Sequence, residues 1–137
     1  MSKREYRFVS LIFFLLLAGC GDKECAGTYS QIETIVLNEK VKYNQCKKDN
    51  AERDSKKSKC RQDFSASSSF FEYKACFESI PYASCFASAL IHPEFTDLVN
   101  KAESCGSIFN RPPDTFYKSM DEATQLIKVS KIYSESR

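Results

Sequence analysis

An all-α fold of about five amphipathic helices in a small disulfide-stapled bundle is what this sequence predicts. Three observations carry that reading. Apolar residues recur at three-and-four spacings through most of the chain, as helices with one buried face require. No alternating apolar–polar run of strand length interrupts them. Six cysteines, Cys25, Cys46, Cys60, Cys76, Cys85 and Cys105, are spread along the helical segments.

The chain begins with a basic head, Lys3, Arg4 and Arg7 against the single acid Glu5, followed by the apolar run Phe8 to Gly19 broken only by Ser10. A basic head, a short apolar core and small residues at its exit describe a secretory signal peptide. The run falls short of the ~20 residues that cross a bilayer core. It turns abruptly polar at Gly21-Asp22-Lys23-Glu24. The four residues Leu17-Ala18-Gly19-Cys20 resemble the lipobox of bacterial lipoproteins. That resemblance implies cleavage after Gly19, a diacylglycerol thioether on Cys20 and acylation of the new amine. Two or more chains would hold the protein stably on a bilayer where one would not. In the sorting rule of enteric-type bacteria an Asp directly after the lipidated cysteine favours the inner membrane. Gly21 stands there instead, so the resemblance points to an outer-membrane protein facing the periplasm.

Three segments follow from this: 1–19 as signal peptide, 20–27 as lipidated tether and 28–137 as a single helical domain. Removing residues 1–19 leaves 118 of the 137 residues, enough for one modest core. The formal charge of +2 leaves with the signal peptide, because the remaining chain holds 17 Lys and Arg against 17 Asp and Glu. A balanced chain offers no electrostatic footprint for nucleic acid. With Cys20 lipidated, six cysteines remain, and an even number in a small exported chain reads as a disulfide framework. A zinc site is disfavoured because no two cysteines stand two to four residues apart. No metal or cofactor is expected.

The first helix is predicted to start near Thr28 or Ser30, where Ser30-Gln31-Ile32-Glu33 has capping-box spacing. Tyr29, Ile32, Val36, Tyr43 and Cys46 form its apolar stripe, with Glu39 the polar exception and Ile35 and Val41 widening it. Lys47 to Asp63 carries seven basic and four acidic residues. It reads as a solvated helical extension or loop. A sharper reading gives Lys56, Lys57, Lys59 and Arg61 an electrostatic contact with lipid headgroups or a partner.

Ser65 to Ser69 reads as a linker. A second helix is expected through Phe70, Tyr73, Phe77 and Ile80, ended by Pro81, which opens a third through Tyr82, Cys85, Phe86 and Leu90. A Cys76–Cys85 bond across the Pro81 corner is the favoured pairing among the 15 that six cysteines allow. After His92-Pro93, a fourth helix presents Phe95, Leu98, Val99, Ala102 and Cys105, with Gly106 placed as a left-handed cap. A final helix from about Pro113 to Tyr133 turns Phe116, Met120, Ala123 and Ile127 inward, with Leu126 and Ile132 nearby.

No catalytic set emerges. The only histidine, His92, precedes a proline at a helix start and has no nominated nucleophile to activate. The chain has no Gly-rich phosphate loop. An enzyme is therefore not expected, and a small-ligand binder is disfavoured. Consecutive Phe70 and Phe71 cannot both face one way on a helix, so Phe71 is a candidate docking residue for a protein partner. The expected function is a membrane-anchored periplasmic module that binds an envelope protein, of the immunity or exclusion type. The alternative is a structural or assembly component of an envelope or secretion machine.

Overall fold

The computed structural model describes residues 3–64, 70–106 and 111–136, and side chains from residue 23 onward within those ranges. Cys20 and the Ser65–Ser69 stretch, read above as lipid anchor and linker, lie outside the described side chains and residues respectively. The chain is all-helical, with α1 (Lys3–Phe64), α2 (Phe70–Glu78), a 3-10 turn (Ser88–Ile91), α3 (Pro93–Cys105) and α4 (Asp114–Glu135). Among the described residues there is no strand, and four α-helices stand where about five were expected. Three disulfides join Cys25–Cys105, Cys46–Cys85 and Cys60–Cys76.

The predicted start at Thr28 or Ser30 is overturned, because α1 runs straight through it. Nothing stops the helix there: the first proline of the chain is Pro81. Polar side chains bond within the helix, Thr28 Oγ1 donating to the Glu24 carbonyl at 3.0 Å and Thr34 Oγ1 to the Ser30 carbonyl at 2.8 Å. Further along, Gln45–Asp49 and Glu52–Lys56 close successive i,i+4 pairs at 2.7 and 2.8 Å, each adding a few tenths of a kcal/mol by order of magnitude, ~0.2–0.5.

Contacts group the chain into two units, residues 1–36 with 89–123 and residues 37–88 with 124–137. In the first, Tyr29, Ile32 and Val36 of α1 are buried together with Phe95 and Ala102 of α3 and Phe116 and Ala123 of α4. The Tyr29 ring lies 5.2 Å from that of Phe116, and its hydroxyl donates to the Ala102 carbonyl at 3.3 Å. Burial pushes the Tyr29 phenol above its usual range, so it stays a neutral donor. Cys25–Cys105 and a Lys101–Glu24 ion pair of 2.7 Å tie α1 to α3 at the edge of this core. The Lys101 hydrogen bond holds the Glu24 carboxyl below its ordinary pKa. Gly106 caps α3 at φ −69°, not in the left-handed region as expected. Its N–H bonds the Glu103 carbonyl at 3.0 Å and the chain leaves the helix extended, so no positive φ is needed.

The second unit is built on the later part of α1. Its inward line continues through Cys46, Asn50, Lys57 and Cys60. Asn50 is fully buried, and Lys57 is 9% exposed. Val41 and Ile132, expected near the core, are 60% and 58% exposed instead. The helix predicted from Pro81 does not form; residues 81–87 are irregular and only Ser88–Ile91 winds up, as a 3-10 turn. Side chains satisfy the backbone there in place of helical bonds. The Ala83 N–H donates to Asn50 Oδ1, and Asn50 Nδ2 donates to the Ala83 carbonyl, both at 2.9 Å. The Ala87 N–H donates to the buried Ser130 Oγ of α4 at 3.2 Å. The favoured Cys76–Cys85 pairing is likewise overturned. Cys85 lies against Cys46 and Cys76 against Cys60, because both partners stand on the inward line of α1.

Candidate interaction surface

The residues singled out for partner binding all belong to the second unit, at the end of α1 and on α2. Cys60 and Cys76 join these helices with their Cα atoms 6.0 Å apart. That bond, and the packing of Phe77 on Lys57, fix which side of α2 faces α1. Phe70 and Phe71 open the helix six and five residues before Cys76. They are 69% and 82% exposed, with ring centroids 6.2 Å apart in an edge-on arrangement. One exposed phenylalanine was expected here; both are. α2 has no buried residue of its own, so its attachment rests on the disulfide and on rings that lean on α1.

The basic residues separate into two kinds. Lys59 and Arg61, on either side of Cys60, are exposed. Lys56 is exposed and bound to Glu52 at 2.8 Å. Lys57 is turned inward, with its ammonium 4.2 Å from the centroid of the Phe77 ring and 3.9 Å from that of Tyr82. The long alkyl stem is covered while the charge sits over two ring faces, an attractive arrangement for a desolvated cation. The Tyr82 hydroxyl donates to the Asp54 carboxylate one turn earlier on α1. Lys57 therefore secures the corner after α2, and the outward-facing charges are those of Lys56, Lys59 and Arg61. Hydropathy does not single out Lys57, which lies in a run where every neighbour is polar.

This surface has chemistry suited to recognition: two adjacent aromatic rings in solvent on α2, and exposed Lys59 and Arg61 flanking the cysteine of α1 to which that helix is bonded. His92 stands at the N-cap position of α3 with no side-chain capping bond, exposed and 3.8 Å from Glu94. Among the described residues no group of three or more His, Cys, Asp or Glu could hold a metal ion. No helix among them is long and apolar enough to cross a membrane. No protein-family model, curated protein or solved structure matches the chain. Its function must be read from its own residues.

Proposed function

We propose that this protein is a lipid-anchored module of the bacterial envelope, acylated at Cys20 and facing the periplasm, that binds an envelope protein in the manner of immunity or exclusion proteins. The observation that carries the binding part is the exposure of Phe70 and Phe71 together on a helix fastened by Cys60–Cys76. Two neighbouring rings in water present an apolar anchor whose burial a partner would gain, at small entropic cost because the scaffold is already fixed. Lys59 and Arg61 add a cationic rim, so the partner surface is an apolar pocket bordered by carboxylates. The anchor reading rests on the signal-peptide pattern ending in Leu17-Ala18-Gly19-Cys20.

The two parts are tested separately. Metabolic labelling with an alkyne fatty acid should mark the wild-type chain and leave Cys20→Ser unlabelled; equal labelling of both would remove the anchor reading. Crosslinked capture from envelopes should recover one partner in near-equal amount. Phe71→Ala should weaken that capture by roughly thirtyfold, the cost of a hot-spot residue, with unchanged helical circular dichroism and melting temperature. Undiminished capture by Phe71→Ala would mean that the rings are not the docking surface.

A further inference from the structure

The three disulfides differ in what surrounds each sulfur. Cys46 is half-buried and lines a cleft of about 220 Å³ within the second unit. Glu39, Lys42 and Tyr43 of α1 form one wall, and the irregular segment around Ser84 the other. Glu39 and Lys42 pair at 2.8 Å, so the cleft presents no unbalanced charge to an incoming anion. Cys85, on the other end of the bond, borders the same cleft but is only 4% exposed, and it receives a hydrogen bond: Asn50 Nδ2 donates to its Sγ at 3.2 Å. Asn50 Oδ1 in turn accepts from Arg53 Nη1 at 2.9 Å, which polarises the amide and makes its N–H groups better donors. Among the described residues no side chain donates a hydrogen bond to a sulfur of the other two disulfides, although Ser30 and Arg111 line a cleft beside Cys25–Cys105.

We propose that Cys46–Cys85 is a thiol–disulfide exchange site, opened by a thiolate that enters the cleft and attacks Cys46. The new S–S bond forms between the incoming sulfur and Cys46 Sγ as the Cys46–Cys85 bond breaks, and the electron pair leaves on Cys85 Sγ. A hydrogen bond to a thiolate is stronger than one to a neutral disulfide sulfur, so Asn50 stabilises this leaving group more than the starting bond. A second thiol of the reductant then attacks the mixed disulfide. It becomes oxidised, Cys46 is released as thiolate, and both protein thiolates take up protons from water. The substrate class is a small or protein thiol, and the reductant supplies the two electrons. Opening removes the covalent tie that holds Cys85 and its neighbours to α1.

Reduced glutathione is the probe. The folded, oxidised protein is treated with it, quenched in acid, and alkylated under denaturing conditions. Peptide mass spectrometry then locates the adduct and the free thiol. The expected product carries glutathione on Cys46 and a free thiol on Cys85. Arg53→Gln, which leaves the bond and the cleft residues in place, should slow its formation about threefold through the weakened Asn50 donor. Glutathione on Cys85, earlier opening of Cys25–Cys105 or Cys60–Cys76, no adduct at all, or an unchanged rate in Arg53→Gln would each overturn the assignment.

Discussion

Replacing Cys25 and Cys105 together by serine is expected to lower the unfolding free energy more than removing either other disulfide. The bond closes a loop of sequence separation 80, against 39 for Cys46–Cys85 and 16 for Cys60–Cys76. Restricting the unfolded chain by loops of these lengths is worth roughly 4.5, 3.9 and 3.1 kcal/mol in the chain-entropy account. The first value approaches the whole stability of a small domain, on the order of 5 kcal/mol at the low end. Near Cys25 the polar ties from α1 to α3 are the exposed Lys101–Glu24 pair and the Tyr29 hydrogen bond to Ala102. Neither compensates for a lost cross-link, since an exposed ion pair contributes little. Urea denaturation of the three double-serine variants gives the order directly. A Cys60/Cys76 variant weaker than the Cys25/Cys105 one would show that local strain or residual unfolded structure, not loop length, sets the order. In the proposed anchored protein the same bond stands five residues after Cys20, so its loss would loosen the domain where it meets its tether.

How much of this was legible beforehand depended on whether a residue's partners announce themselves by periodicity. Tyr29, Ile32 and Val36 were readable because an apolar stripe at helical spacing has one physical outcome, and the structure buries all three. Phe116 and Ala123 follow the same rule, whereas Met120 and Ile127, expected inward with them, are half-buried and Leu126, expected only nearby, is buried. Asn50 and Lys57 obey the same geometry but are polar, so a hydropathy reading placed them in solvent. A signal was present nonetheless: positions 46, 50, 53, 57 and 60 continue the four-and-three spacing between two cysteines, and a helix bonded at both cysteines must face its partners along that line. The corner after α2 was misjudged for a related reason. Pro81 can open a helix, and locally nothing forbids one. The competing bonds come from Asn50, 33 residues before Ala83, and from Ser130, 43 residues after Ala87. Pairing by nearness in sequence failed with it, because which cysteines meet is settled by the α1 face and not by the shortest loop.

Asn50→Ala is the point substitution expected to cost most. The side chain uses its whole hydrogen-bonding capacity: Nδ2 donates to the Ala83 carbonyl and Cys85 Sγ, and Oδ1 accepts from the Ala83 N–H and Arg53. Truncation leaves both backbone groups of Ala83 without partners at a position where no helix or sheet replaces them. At ~1–3 kcal/mol for each stranded group, the expected loss is about 3–5 kcal/mol. Asn50→Asp has the same shape and is expected to lose a similar amount, because it sets a carboxylate oxygen against the Ala83 carbonyl and the Cys85 sulfur where two donors stood. Gln45→Ala, on the same helix, is the control. Its amide bonds Asp49 at 2.7 Å but lies in solvent, so its removal should change stability by less than about 0.5 kcal/mol. Thermal and urea unfolding of the three variants separates burial from hydrogen-bond count. If Asn50→Ala melted with Gln45→Ala, the irregular segment after Pro81 would be held by Cys46–Cys85 together with the Tyr82 and Ser130 contacts, and the Asn50 bonds would add nothing measurable to them.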